Sequence, residues 1–353
     1  MPFIVPAFAK IRDDLLRDLK NQMPDADVGP DSDYFIRATS VASAVEGLYQ
    51  HQAWIVRQIF PDTADTEYLE LHARTRGLTR KPAVAAQGQI SVAGTPGAAV
   101  PSGLTAKLGE QTYVTTQASV IDANGVATVT AVASTPGMAG NASANAVVEL
   151  TAAPSGVTSQ ATIVTMTGGV DEESDGELLA RLLELIRRPP AGGNKYDYRR
   201  WAMEVAGVTA AFVYPLRRGL GTVDVVITSA GSLPSAATLT AVQDHIDDVR
   251  PVTAKNSLVL APTLKVVDVN VAVQLSGTTL AVVQAHIEAA LGAYFNQLAP
   301  GETAIKSRIE ALVSDLSGVI DRAVTLPVAN VVPTVDASLV EWVRLGTVTV
   351  GAL

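Results

Sequence analysis

From Phe8 to Arg76 the apolar residues fall at steps of three and four, from Gly88 to Met166 they fall at every second position, and after Gly169 the two rhythms alternate. The first rhythm predicts helices. Phe8, Ile11, Leu15 and Leu19, set among Lys10, Arg12, Asp13, Asp14, Arg17 and Asp18, make an amphipathic stretch that Pro24 limits. Asp31-Ser32-Asp33 supplies capping side chains for a second helix, which runs through Phe35, Ala38, Ala42, Val45, Leu48 and Tyr49 toward Ile59 and stops at Pro61. A third spans about Thr66 to Arg76, with Leu69 and Leu71 inside and Gly77 as its left-handed C-cap. Each stripe has to be buried, either against the other helices of the same chain or against helices of another subunit.

The second rhythm predicts strands at Ile90/Val92, Val126–Val132 and Ala161–Met166, with Asn124-Gly125 as a tight hairpin turn between 119–122 and 126–132. Pro96-Gly97, Pro101-Ser102-Gly103 and Pro136-Gly137 punctuate the rest, which reads as a small antiparallel sandwich or barrel. Beyond it come a helix at 197–205, strands at 209–214 and 223–228, and a helix capped by Ser235 and ended by Pro251. A strand at 265–275 and a helix at 280–295 follow, and the order suggests an α+β sandwich with helices on one face. A helix at about 303–316 and strands near 319–326 and 340–350 close the chain. The last of these is a β-prone edge open to a neighbour if nothing pairs with it internally. The fold class is therefore α+β multidomain: an N-terminal helical region (1–81), a β domain (82–167), an α+β domain (168–300) and a C-terminal helix with strands (301–353).

The change of architecture is marked by Thr167-Gly168-Gly169-Val170-Asp171-Glu172-Glu173-Ser174-Asp175-Gly176-Glu177. Ser174 and Glu177 form a capping box for a helix whose apolar positions 178, 179, 182, 183 and 186 share a face. Glu177/Arg181 and Glu184/Arg188 are spaced as i,i+4 ion pairs. The acidic run thus has a structural explanation as a helix start, and its spacing lacks the loop pattern of an EF-hand.

Composition narrows the function. With 26 basic against 35 acidic residues the net charge is −9, which argues against a direct nucleic-acid partner. Cysteine is absent, so disulfides and thiolate metal sites are excluded. The opening Met1-Pro2-Phe3-Ile4-Val5-Pro6 lacks the basic and apolar regions of a signal peptide, and no apolar run is long enough to insert in a membrane. A mean hydropathy of +0.25 with 5% aromatic residues suits packed small side chains and subunit contacts better than a deep ligand pocket.

No residue group is spaced for chemistry. His51, His72, His245 and His286 are scattered over separate predicted helices; Gly219-Leu220-Gly221 precedes a strand and reads as a turn; no nucleophile elbow or phosphate loop occurs. Arg187-Arg188 and Arg199-Arg200 beside Trp201 read as ion-pairing residues, toward a partner or the acidic run. Catalytic, cofactor-binding and metal-ligating residues are accordingly expected to be none, with no cofactor. The candidate functional surface is a subunit interface formed by Phe8, Ile11, Leu15 and Leu19.

A set of short motifs carries a resemblance. Gly168-Gly169-x-Asp171-x-Glu173-Ser174-Asp175-x-Glu177-Leu178-x-x-Arg181 is followed by Pro190-Ala191-Gly192-Gly193-Asn194-x-x-Asp197-Tyr198. With them stand Arg80-Lys81-Pro82-Ala83-x-Ala85-x-x-Gly88, Val100-Pro101-Ser102-Gly103, Gly137-x-x-Gly140-Asn141 and Arg250-Pro251-Val252-Thr253. In this order they resemble the signature of baseplate J-like proteins of contractile-tailed phages, departing from it at Leu179, where a basic residue is expected. The resemblance implies a structural, non-enzymatic wedge component of the tail baseplate. Two copies would sit in each wedge with a second wedge protein, around the central hub and spike and beside neighbouring wedge proteins, linked into a ring that rearranges on contraction. It implies assembly in the host bacterial cytoplasm and residence in the virion. Two rivals stay open: a β-rich adhesin or carbohydrate-binding tail protein, which would need aromatic platforms, and an enzyme with an unrecognised site, which would need a pocket of convergent carboxylates or histidines. Tyr113 is the sole aromatic residue between Gly88 and Met166.

Overall fold

A computed structural model describes residues 4–353; Met1-Pro2-Phe3, part of the opening segment read above, lies outside them. The chain divides into two compact units, one of residues 1–80 with 173–187 and one of residues 81–172 with 188–353.

The first unit is helical. Helix α1 (Phe8–Gln22) ends just before Pro24, and α2 (Asp33–Ile59) starts from Ser32, whose hydroxyl accepts from the Phe35 amide at 3.1 Å. The two pack on each other: the Phe8 amide donates to Glu46 at 3.2 Å, and the Arg12 guanidinium lies 4.8 Å over the Phe35 ring. Helix α3 (Thr66–Arg74) stops at Gly77, whose φ of 74° admits the left-handed cap, with the Leu78 amide returning to Ala73. Helix α4 (Asp175–Arg187) completes the unit, and Leu69, Ala73, Leu78, Leu178 and Leu182 share one small core. Two expected positions turn outward: Leu71 and Ile186 are exposed, because the short helices face each other along Leu69/Ala73 and Leu178/Leu182 and leave the flanks of both stripes in solvent.

The second unit begins with the β domain, which is a closed barrel rather than a sandwich. Its strands are β1 (Gln87–Gly94), β3 (Thr105–Leu108), β4 (Gln111–Thr115), β6 (Val126–Ala133), β7 (Val147–Leu150) and β8 (Val157–Thr167), in the order β1-β6-β4-β3-β7-β8; β2 (Ala99–Val100) and β5 (Ser119–Val120) form a separate pair. β1 pairs antiparallel with both β6 and β8, which closes the sheet and leaves no free edge. Gly88 allows that closure: a Cβ there would lie 1.8 Å from the Thr165 carbonyl oxygen. Ile90, Val92, Val129, Ile163, Met166 and Tyr113 fill the interior, and burial pushes the Tyr113 phenol above its ordinary pKa. The Asn124-Gly125 turn forms, with φ of 80° at Gly125 and the Asp122 carboxylate accepting from Asn124 and Val126. The strand before it, however, pairs with β2 rather than with β6, which is taken by β1 and β4.

The region after the barrel holds two three-stranded sheets, not one sandwich. In the central domain α5 (Lys195–Glu204), β9 (Ala210–Pro215), β10 (Thr222–Thr228), α6 (Ala236–Val249) and β11 (Asn256–Leu260) build a sheet of order β11-β10-β9, with Val225 and Ile227 packed on Tyr198, Val242 and Ile246 of the helices. The unanticipated strand β11 pairs parallel with β10 and completes this core by itself. In the C-terminal domain β12 (Thr263–Leu275), α7 (Leu280–Gln297), α8 (Lys306–Ser314), β13 (Val319–Leu326) and β14 (Glu341–Ala352) build a second sheet, β13-β12-β14, around Val269, Ile287, Leu291, Phe295, Ile309 and Val343. These residues pack together across position 300, so a cut at 300/301 parts elements that share one core. In the same way α4, which falls within 168–300, packs with the N-terminal helices.

Candidate functional site

The motif residues serve as joints. In the helical unit Arg80 is wedged among acids: Nε lies 2.7 Å from Glu70, Nη2 2.5 Å from Asp175, and Nη1 donates to the Glu173 carbonyl at 2.6 Å. The hydrogen bonds from Thr66 and Arg80 hold the Asp175 carboxyl below its ordinary pKa, and those to Glu70 and Asp175 raise that of Arg80. Glu173, almost wholly buried, pairs with Arg181, which also reaches the Thr79 carbonyl. The expected Glu177/Arg181 pair is therefore replaced, and the Glu177 carboxylate turns back to the Ser174 amide and hydroxyl as in the expected capping box. The acidic run is thus held by arginines and amides.

In the second unit the chain enters and leaves the barrel at one place. Val84 and Val170 exchange two backbone hydrogen bonds of 2.8 and 3.0 Å, the Asn141 side chain brackets Gly169 from both sides, and Asp171 accepts from the Met138 amide. Lys81 donates to the carbonyls of Met203 and Val208, tying this crossing to the central domain. There Asp197 is buried at the start of α5. Burial alone would raise its pKa, but amides of Gly193, Ala191 and Asn194 together with the Arg200 guanidinium outweigh that and hold it low. Central and C-terminal domains are joined by the Tyr214 hydroxyl on the Pro300 carbonyl, where burial pushes the phenol up to about 12, and by Arg217, which reaches both Asp224 and the Asp336 carbonyl.

The histidines stay apart. His72 binds the Gln58 carbonyl, His245 sits 2.9 Å from Glu204, His51 stacks on Trp54, and His286 is exposed on α7. Arg200 pairs with Asp197 and Glu204 of its own helix, and Arg188 lies 4.1 Å over the Tyr196 ring. No cluster of three or more metal-binding side chains forms among the described residues, and no helix there is long and apolar enough to cross a membrane.

The apolar surfaces are the other feature. Within α1, Phe8, Ile11 and Leu19 are half-covered and Leu15 is exposed; no residue of this helix is fully buried. A second stripe, missed in the sequence, lies on α2: Val41 (49% exposed), Leu48 (63%), Ile55 (44%) and Ile59 (56%), spaced 7, 7 and 4. The signal was present as that spacing. It was masked because α2 also carries Phe35, Ala38, Ala42, Val45 and Tyr49 on the side toward α1, so its apolar residues extend around much of the helix.

A barrel followed by two small sheet-and-helix domains, with its polar clusters spent on joints and its apolar stripes left outside, defines a multidomain structural protein. The sequence matches the Baseplate J-like protein barrel domain over residues 89–169, the Baseplate J-like central domain over 190–261 and the Baseplate J-like protein C-terminal domain over 267–351. Baseplate protein gp47 of Escherichia phage Mu is 33% identical over 323 residues, 86% of this chain and 89% of that protein. Mu-like prophage FluMu protein gp47 of Haemophilus influenzae is 34% identical over 304 residues, 82% and 84% of the two chains. A chain from the anti-feeding prophage baseplate aligns over 95% of this one and 90% of its own length at 12% identity and a TM-score of 0.38, too loosely to define domain placement. The chain belongs to the baseplate J-like family, and with it to the structural proteins of phage-tail baseplates.

Proposed function

We propose that this protein is a wedge component of a contractile-tail baseplate. Two copies join a second wedge protein, wedges surround the central hub and spike, and contacts between neighbouring wedges close a ring that changes arrangement on contraction. It performs no reaction; its work is to bind the same neighbours in two geometries with different affinity. It is assembled in the bacterial cytoplasm and resides in the virion.

The observation that carries this reading is the uncovered stripe of α2. From Val41 to Ile59 it runs about 27 Å along the helix. Burying side chains now half exposed contributes on the order of 1 kcal/mol each before association costs, enough for a helix–helix contact but not for a free-standing one. Phe8, Ile11, Leu15 and Leu19 belong to the same proposed interface: α2 covers three of them in part, and a partner helix laid beside α1 finishes the burial.

The double variant Leu48→Asp/Ile55→Asp tests it. Both residues are exposed, so circular dichroism and the thermal melt stay as in the parent, while capture of a second copy and of the products of neighbouring tail genes is lost. A parent chain that scatters light as a monomer at high concentration and binds none of those products would overturn the reading.

A further inference from the structure

The turn between β9 and β10 is held more firmly than a surface turn requires. Arg217, almost wholly buried, sets Nε 2.7 Å from Asp224, Arg218 sets Nε 2.8 Å from the other oxygen of the same carboxylate, and Asp224 is sealed from water. Arg217 also donates to the Asp336 carbonyl and Arg218 to Asn256. Backbone bonds close the turn itself: the Leu216 amide donates to the Thr222 carbonyl, and the Gly219 amide to the Leu216 carbonyl. A turn whose only task is to reverse the chain needs none of this buried charge.

What it fixes is a pair of leucines in water. Leu216 has a φ of 61°. The other non-glycine residues in the left-handed region, among those described, are Asn145, a type that enters it readily, and Ala230, whose side chain is small; Leu216 is the bulky one. Leu216 stands 56% exposed beside the inward Arg217, and Leu220, at the far side of the turn, is 84% exposed. Because β10 and β11 run parallel, with Thr222 beside Asn256, the segments leading into them lie at one end of the sheet. The second segment presents Val252, fully exposed, and the Lys255 and Asn256 amides both bond the Gly221 carbonyl. Strain and buried charge thus keep apolar side chains rigid in solvent, the preorganisation that lowers the cost of ordering a contact.

We propose that this end of the central sheet is a docking knob for a different protein, one that offers an apolar pocket rimmed by carboxylates. Residues 216–221 and 250–255 carry Arg217, Arg218, Arg250 and Lys255 and no acid. Asp224 answers the first two, Asp247 pairs with Arg250 at 2.9 Å, and Asp248 stands exposed in the last turn of α6, which leaves one cation in excess on a chain of net charge −9. Lys255 is exposed and has no ion pair among the described residues, so its charge favours an acidic rim next to the turn. A twofold contact between copies would set these cations against themselves, so the knob does not serve self-association. Three aliphatic side chains without an aromatic residue, and one free cation, are too few for a lipid surface. The proposal rests on the baseplate reading only for its probes, and its surface belongs to the second compact unit, whereas α2 belongs to the first.

The purified products of the neighbouring tail genes, passed one at a time over the immobilised full chain, test this. Leu216→Asn/Leu220→Ser removes both apolar tips, and asparagine enters the left-handed region more easily than leucine, so the fold is kept. The double variant is expected to bind one product about tenfold more weakly or worse, and Val328→Ser, at a comparably exposed valine in another loop, to bind it as the parent does. Lys255→Glu, at an exposed site, is expected to weaken the same product, with the deficit shrinking as salt is raised, and it decides alone if the double variant does not fold. A double variant that binds every product as tightly as the parent, or loses no more than Val328→Ser, would overturn the proposal. So would a lost contact that proves to be with the chain itself or with anionic phospholipid vesicles. A double variant that keeps all of the parent's partners while Leu48→Asp/Ile55→Asp loses them overturns the knob and leaves the α2 interface standing; a parent that binds none of the products overturns both.

Discussion

The barrel and the first two helices are both rich in aliphatic residues, yet Ile90, Ile163 and Met166 in the barrel are sealed from water while Leu48, Ile55 and Ile59 on α2 stand exposed to it. In the barrel, β1 closes the sheet by pairing on both sides, so every inward side chain finds its neighbours within the same domain. In α1 and α2 only Ala42 and Gln58 are buried, because two helices side by side leave most of each cylinder uncovered. Closure makes a region self-sufficient, and its absence leaves a region whose apolar residues stay in contact with water on the single chain.

The sharpest way to break this contrast is to make the same kind of cut in both regions. Ile163→Ala, at a fully buried site, is expected to cost about 3 kcal/mol in urea unfolding, whereas Leu48→Ala on α2 is expected to stay within about 0.5 kcal/mol. Comparable costs at the two sites would mean that the α2 stripe is covered within its own chain. A middle-sized effect is expected from Asp197→Asn, which weakens the set of amide and guanidinium bonds at the start of α5 by about 1–2 kcal/mol at neutral pH. The folded pKa of Asp197 lies below its ordinary value of 3.8, so its contribution is fully present above that pH and is lost as pH falls through the lowered value. The stability gap between parent and variant should therefore be widest near neutrality and close in strong acid, as pH-dependent melts would read. The smallest effect is expected from Leu15→Asp, less than about 1 kcal/mol on the isolated chain, with Leu19→Asp costing more because α2 half-covers that position. A cost at Leu15 as large as that at Leu19 would show that α1 presents no open side, and the proposed interface would then rest on α2 alone.

Much of the fold was legible because local rules decide it. Pro24, Ser32, Pro61 and the Ser174/Glu177 box bound helices through interactions within a few residues, and β13 runs over the residues its alternation marked. What escaped depends on distant partners. Period-two alternation fixes which side chains share a face, but whether β1 meets β8, some seventy residues later, is decided by long-range pairing. β11 is only five residues between a turn and Pro262, too short for its alternation to stand out, so the third strand of the central sheet went uncounted. The α1 stripe was readable at once from its clean amphipathic spacing; the stripe on α2 was hidden by the apolar residues on the side of the same helix that faces α1.

Where the chain crosses into and out of the barrel, Val84 and Val170 stand opposite each other as an antiparallel hydrogen-bonded pair, about 5.5 Å apart at Cα. Tension applied to the flanking segments is therefore carried first by two short hydrogen bonds, and the barrel hangs off the line of force as a side loop of roughly eighty-five residues. The same narrow gap makes the barrel exchangeable: any domain whose ends lie that close can be spliced in its place without moving the flanking segments apart.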